Sequence, residues 1–320
     1  MDKKVGQLAL DEVKEWLEQQ FQPWVEASCP CGGERFDQWS EGERFGFAPR
    51  LVSCRQCGQL LTSPRLRTDL LETLFGRWYR RLYFNTSHLS ELQWQQERQR
   101  GKKALDFILA LRTPQAGARW LDYGCGAGGF VSVLNQRGYQ ATGYDIDASY
   151  LHFGRSKGAA VGALRWPEGL QVVSLIRVLH YLPDMPEALD DIVSHLRPGG
   201  LVYIDLPGVR QWLRGPSCRG QLRRMASIFH LTYFDLRLLE ALMSRHQLRL
   251  VGGSEEIRAL FEFVPGSPPL RLDQRPLRAF LSNTRRGSHF WWLWSFLPSR
   301  VRRLLDRELA ASSTIKKSQR

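Results

Sequence analysis

This 320-residue sequence contains no run approaching the roughly 18 consecutive apolar residues that a membrane span requires. Its first residues lack an apolar signal core and carry Asp2, Asp11, Glu12 and Glu15 instead, so a cytoplasmic protein is the expectation. No internal repeat or low-complexity tract is visible. Acidic residues are short relative to basic ones, 32 against 45, which leaves a formal charge of +13. That excess is too large for neutral background and points to contact with something anionic: nucleic acid, a phosphorylated glycan or a lipid headgroup surface. Cysteine is sparse, with six in the chain, and four of the six are crowded into 29 residues. The apolar fraction of 43% is ordinary for a globular chain. The length allows one full α/β core plus a smaller module.

Against that background one stretch stands out: Trp120-Leu121-Asp122-Tyr123-Gly124-Cys125-Gly126-Ala127-Gly128-Gly129-Phe130. An apolar run ends in an acid, passes through alternating glycines and resumes as a second apolar run. The pattern predicts a buried strand, a tight turn and a helix, with bare glycines letting backbone approach a ligand. The next apolar run, Gly143-Tyr144-Asp145-Ile146-Asp147, also ends in a carboxylate. Asp145 follows Gly126 at about the spacing that sets an acid on ribose hydroxyls in nucleotide-binding units.

These motifs resemble the class I S-adenosylmethionine-dependent methyltransferases. Asp122, Gly124, Gly126 and Gly128 match the family's first-strand pattern position by position. Gly124, Gly126 and Gly129 also satisfy the dehydrogenase pattern Gly-x-Gly-x-x-Gly, which is weaker alone because it leaves Asp122 without a role. Two later landmarks favour the methyltransferase likeness. Val172–Asp184 resembles the family's fourth strand and loop, and Leu196-Arg197-Pro198-Gly199-Gly200 its turn into the fifth. The resemblance implies a doubly wound, seven-stranded, mostly parallel α/β sheet of Rossmann-like methyltransferase type. It implies S-adenosylmethionine as cofactor. The backbone of Tyr123, Gly124, Cys125 and Gly126 would cradle the methionine portion, with Gly128 completing the turn. Asp122 would hold the loop and reach the ammonium group, Asp145 would take both ribose hydroxyls, and Ile146 would pack on adenine. Two departures stand out: Ala163–Trp166 supplies no acid for the adenine amino group, and Gln171 replaces the aspartate that commonly opens the fourth strand.

Cys29, Cys31, Cys54 and Cys57 form two close pairs, each followed by glycine, which suits knuckles around a closed structural zinc ion. The spacing Cys54–Cys57 is good for zinc, and Cys29–Cys31 is one residue short. Five segments follow: an N-terminal helix in 1–28, a zinc-ribbon-like module in 29–64, and a helical connector in 65–112. The cofactor-binding core occupies 113–265, and a basic aromatic extension 266–320. Within the ribbon, strands are expected at 35–39 and 45–52. In the connector, Glu91–Arg100 reads as a solvated polar stretch. In the extension, Phe290–Leu297 with flanking Arg285, Arg286, Arg300, Arg302 and Arg303 fits either an interfacial helix at the inner membrane face or a helix packed on the core.

The candidate proton acceptors are His180, beside Tyr181 after the fourth strand, and His230 with Tyr233 in Phe229-His230-Leu231-Thr232-Tyr233-Phe234. Methyltransferases with an N-terminal cysteine ribbon often carry a similar segment there. Arg177 could orient an anionic substrate or pair with a carboxylate. The lack of Asn-Pro-Pro-Tyr or Asp-Pro-Pro-Tyr after the fourth strand disfavours methylation of base or glutamine nitrogens, and no Pro-Cys nucleophile is present. The expectation is methyl transfer to an oxygen or carbon of a sugar, glycan precursor or other small metabolite. An RNA methyltransferase with a zinc ribbon and a catalytically silent cofactor-binding protein are the alternatives, with nucleic acid disfavoured as a partner.

Overall fold

A computed structural model describes residues 3–86, 89–209 and 225–270. The Trp/Arg segment at 285–303 and Cys218 lie outside the described residues. Among those described, no helix is long and apolar enough to cross a membrane.

The chain begins with helix α1 (Lys3–Glu18), whose Ala9, Val13 and Leu17 form a buried stripe at helical spacing. A short strand β1 (Trp24–Val25) pairs with β5 (Arg65–Leu66). Between them lie β2 (Phe36–Gln38), β3 (Arg50–Cys54) and β4 (Leu60–Ser63). The strand expected at 45–52 starts later because Glu43, fully buried, accepts the backbone N–H groups of Phe45 at 2.6 Å and Phe47 at 3.0 Å. Those bonds hold 43–47 as a turn and leave no donors there for a ladder.

Two connector helices follow, α2 (Thr68–Phe84) and α3 (Glu91–Leu111). Asn85 ends α2 in the left-handed conformation, and Ser90 opens α3 through a capping box with Gln93. The core then runs β6 (Arg119–Tyr123), α4 (Gly129–Gln136), β7 (Gln140–Tyr144), α5 (Ala148–Ser156), β8 (Val161–Gly162), β9 (Leu170–Ile176) and α6 (Met185–His195). It continues with β10 (Leu196–Asp205), β11 (Thr232–Tyr233), α7 (Leu236–Arg245), β12 (Leu248–Gly253) and β13 (Arg258–Phe263).

Seven strands form one sheet in the order β12-β13-β10-β9-β6-β7-β8. Strands β10, β9, β6, β7 and β8 are parallel neighbours, while β13 is antiparallel to both β10 and β12. This is the expected mostly parallel sheet closed by an antiparallel pair. Residues of α3, α4 and α5 pack on one face around Trp120, Val131 and Val172, and those of α6 and α7 on the other around Leu121, Val173 and Ile204. The order reverses between β6 and β9, so the cleft at the carboxyl ends of those strands is where an α/β sheet of this kind takes a ligand.

One pairing crosses the segments read from the sequence. A four-stranded sheet, β11-β4-β3-β2, joins the ribbon to Thr232 and Tyr233 from beyond the core's central strands.

Candidate active site

Strand β6 delivers Asp122 to the sheet's upper edge, buried at 2% exposure, where it accepts Ser174 Oγ–H of β9 at 2.5 Å. Burial pushes its carboxyl up to about 7, against the opposing effect of that bond. The chain then turns sharply. Gly124, Gly126 and Gly128 all have positive φ, at 75°, 59° and 79°. A side chain at Gly124 would strike Val178, and one at Gly128 would strike Val161. The N–H groups of Gly124 and Cys125 donate to the Tyr144 carbonyl at 2.7 and 2.8 Å. Gly126 N–H donates to Asp145 Oδ2 at 2.8 Å, and Asp147 N–H to Oδ1 at 2.9 Å. Asp145 is half-buried, and desolvation raises its carboxyl to about 6. Ile146 beside it is an apolar residue 52% exposed.

The structure brings Gly124, Gly126, Asp145 and Ile146 together at the carboxyl edge of the sheet, with Gly128 buried in the turn and Asp122 buried beneath it. Tyr123 and Cys125 can offer only backbone to it. The Tyr123 ring packs against Tyr144 and Trp166, and the Cys125 thiol sits within 2.7 Å of where a Cβ on Gly143 would stand. The residues fit an adenosyl ligand: a tight left-handed glycine turn, a carboxylate with free lone pairs one strand away, and an apolar residue next to it.

Three further groups at this edge come from the connector, and the sequence reading missed them. Glu97, placed in a stretch read as solvated, accepts Gly129 N–H at 3.2 Å and Ala127 N–H at 3.5 Å, at the start of α4. Its Oε1 would lie 2.8 Å from a Cβ on Gly126, and burial raises its carboxyl to about 7. Trp94, one turn earlier, is buried, because the apolar side of α3 lies against α5. Arg80 of α2 is buried, pairs with Asp147, donates to Ser149 Oγ at 2.8 Å and lies 3.8 Å from the Tyr150 ring centroid. Only the Trp94-to-Leu105 apolar spacing in α3 could have signalled that this helix faces inward.

The candidate proton acceptors form a second cluster. His180 and His230 lie with ring centroids 4.7 Å apart, walled by Tyr181, Tyr83 and Phe229. His230 Nε2 and Tyr181 Oη are 3.2 Å apart, and Tyr181 Oη is 2.9 Å from Tyr79 Oη. Burial lowers His230 to about 3 and takes His180 well below the ordinary imidazole value. Among the described residues His180 Nδ1 has no partner. The Tyr233 ring packs beside His230, with centroids 5.8 Å apart, but its hydroxyl is engaged on the ribbon side: it donates to the Met225 carbonyl at 2.9 Å and lies 3.2 Å from Thr62 Oγ1. Arg177 donates to Asp205 at 3.0 Å. Gln171 accepts Arg119 N–H at 3.2 Å, at the end of the sheet opposite the glycine loop.

The four sulfurs of Cys29, Cys31, Cys54 and Cys57 lie within 4.8 Å of one another. Neighbouring pairs stand 3.3, 3.4 and 3.6 Å apart, near the ~3.8 Å edge of a tetrahedron of thiolates around one zinc ion. Gly32 and Gly58, both at positive φ, turn their N–H groups back to the Cys29 and Cys54 carbonyls.

Residues 95–252 match the family described as Methyltransferase domain. This part of the chain is a methyltransferase domain of the class I type. The trans-aconitate 2-methyltransferase of Deinococcus radiodurans is 31% identical over 108 residues, covering 31% of this chain and 42% of that protein. The ubiquinone biosynthesis O-methyltransferase of Xylella fastidiosa is 29% identical over 114 residues, covering 31% of this chain and 46% of that one. The chain thus spans less than half the length of these curated relatives. Among solved structures, an S-adenosylmethionine-bound amino pentose methyltransferase from Micromonospora echinaspora superposes at TM-score 0.42 with 17% identity, over 52% of this chain and 92% of that one.

Proposed function

We propose that the protein is an S-adenosylmethionine-dependent methyltransferase acting on an oxygen or carbon of a sugar, glycan precursor or related small metabolite. The observation that carries this reading is the unit formed by the glycine loop and Asp145, bonded through Gly126 N–H. The cofactor, when bound, supplies an electrophilic methyl group whose displacement leaves an electron pair on sulfur. The protein's part is to hold two reactants in line and to remove a proton from the acceptor. Asp145 would accept the ribose hydroxyls, Ile146 would cover the adenine, and the backbone of 123–126 would seat the methionine end. Asp122 fixes the loop from below, and Glu97 adds a carboxylate at the loop's rim for the ammonium group.

His230 is the base. Burial holds its imidazole at about 3, so the ring is neutral at physiological pH, the form a proton acceptor needs, although the same burial opposes the imidazolium; the 3.2 Å contact between Nε2 and Tyr181 Oη orients the ring. His180 packs edge-on against His230, with ring centroids 4.7 Å apart. Tyr233, whose hydroxyl is engaged by the ribbon, positions the segment.

The charge distribution supports an anionic acceptor. Residues 210–224 carry Arg210, Arg214, Arg219, Arg223 and Arg224 and no acid. That stretch joins Val209, bonded to the Phe234 carbonyl, to the segment bearing His230. A phosphate-bearing acceptor would suit it. Structural zinc in the cysteine cluster and a cytoplasmic location complete the reading.

The test uses purified protein with methyl-labelled S-adenosylmethionine and cell extract. Label should enter the glycan, lipid-linked or small-molecule fraction. Label mainly in RNA would replace this reading with the nucleic-acid one, and tight binding without transfer to any fraction would indicate a silent cofactor-binding protein.

A further inference from the structure

The ribbon reaches the candidate base through one strand. Thr232 pairs with Leu61 and Tyr233 with Leu60, which places β11 beside β4. Side chains reinforce the ladder from the ribbon's side. Thr62 Oγ1–H donates to the His230 carbonyl at 2.5 Å, and Thr62 N–H to the Leu231 carbonyl at 3.0 Å. Gln59 Nε2 donates to the Tyr233 carbonyl at 2.6 Å. Both residues are buried, Thr62 at 1% and Gln59 at 5% exposure. Gln59 also belongs to the cysteine knuckle, because its carbonyl accepts Cys54 N–H at 2.9 Å. Two residues therefore connect the cluster to both ends of the His230–Tyr233 segment.

The cofactor side is held differently. Its glycine loop is bonded to β7 through Tyr144 and Asp145. We infer that Gln59 and Thr62 are positioning residues through which metal in the Cys29–Cys31–Cys54–Cys57 cluster sets the place of His230. Metal loading then governs acceptor chemistry while leaving cofactor binding alone. This rests on the reading of His230 as the base of a methyltransferase.

The physical argument is one of tolerance. A metal bound to both knuckles fixes the gap between 29–31 and 54–57, so the turn at 54–59 cannot splay. Without it β4 can shift, and β11 moves with β4. A misplacement of about 1 Å at a reacting group costs on the order of 100-fold in rate.

The experiment compares four samples: zinc-loaded wild type, chelator-stripped wild type, and zinc-loaded Thr62→Val and Thr62→Ser. Bound metal is measured in each, with affinity for S-adenosylhomocysteine by calorimetry and label transfer into the acceptor fraction of extract. Thr62→Val and stripped wild type should keep their affinity and lose transfer by roughly 10-fold or more. Thr62→Ser, which keeps the hydroxyl, should recover most of it. Wild-type transfer rates in the stripped protein or in Thr62→Val overturn the inference. So does a parallel loss of affinity and transfer, which would make the ribbon a general support. Zinc-loaded wild type that does not bind S-adenosylhomocysteine would instead defeat the methyltransferase reading itself.

Discussion

Gly126 and Asp145 are joined by a 2.8 Å bond from backbone N–H to carboxylate, so the glycine loop and the tip of β7 act as one unit. Asp145 still has lone pairs to offer, whereas the carboxylate of Asp147 just beyond it is taken up by Arg80 and the first turn of α5. Replacing it with alanine should weaken S-adenosylhomocysteine binding by on the order of 100-fold, since two hydrogen bonds to a charged acceptor contribute about 1.5–3 kcal/mol each and only partly add. Calorimetry checks the affinity and circular dichroism checks that the fold survives. Unchanged affinity would mean that ribose is held elsewhere.

Three carboxylates at this edge, Asp122 buried and Glu97 and Asp145 half-buried, make the unliganded protein sensitive to pH. Burial holds Asp122 and Glu97 at about 7 and Asp145 at about 6, all above their unfolded values. The folded chain keeps protons that the unfolded chain has released, so this contribution is full below about pH 4 and is lost as pH rises through 6 to 7. The melting temperature of Asp122→Asn relative to wild type should therefore rise between pH 5 and pH 8. Over the same range wild-type affinity for S-adenosylmethionine should increase, because ionised carboxylates meet a cationic ligand. A stability difference that does not vary with pH would show that Asp122 is already ionised at pH 5.

His230 gives the opposite slope. Its folded value of about 3 lies below the ordinary imidazole value of 6.5, because burial disfavours the cation. The stability this provides is present above about pH 6.5 and is lost as pH falls toward 3. His230→Gln should flatten the acid limb of the stability profile. It should also lower methyl transfer by roughly 10²- to 10⁴-fold, the usual contribution of a general base, with cofactor affinity retained. A variant that transfers at the wild-type rate would move the base to His180 or to the solvent.

The sheet and the glycine loop were legible in the sequence because both are local patterns. An apolar run ending in Asp122, glycines at alternate positions and a second run ending in Asp145 each declare a strand end or turn within a dozen residues. The cysteine knuckles were legible for the same reason. What escaped was assembly between distant segments. Glu97 lies in the polar stretch read as solvated and Arg80 in a helix read without any inward-facing role, and their burial follows only from docking beside α4 and α5. The join between β4 and β11 links residues about 170 positions apart, and a two-residue strand leaves no periodicity to read. Glu43 illustrates the reverse error, since its buried carboxylate converts apolar residues 45–47 from an expected strand into a turn.

Glu97 offers a direct test of that connector. Its carboxylate caps the first turn of α4 while lying over Gly126. Glu97→Ala removes the cap, which should cost about 1 kcal/mol of stability, and removes the carboxylate beside Gly126. Cofactor affinity should fall by roughly tenfold, as expected for one hydrogen bond to a charged group. Glu97→Gln should keep most of the stability while losing affinity for the cationic ligand. If the two variants bind equally to wild type, the carboxylate serves α4 alone.

The loop's geometry also predicts a rescue. Gly124 has φ of 75°, and an added Cβ would stand 2.3 Å from Val178 Cγ2 and 3.0 Å from Cγ1. Gly124→Ala meets two separate penalties: about 1–2 kcal/mol for a left-handed backbone in a residue with a Cβ, and about 1–3 kcal/mol for overpacking against Val178. Val178→Ala should relieve the second and leave the first. The double variant should therefore be more stable than the sum of the two single changes, with a favourable coupling of about 1 kcal/mol or more in a double-mutant cycle. Val178 leads from β9 into the turn carrying His180, so the same cycle reads how tightly the cofactor loop and the base segment are packed. Strict additivity would mean that the loop yields in place of Val178, and with it the rigidity on which a preformed cradle depends.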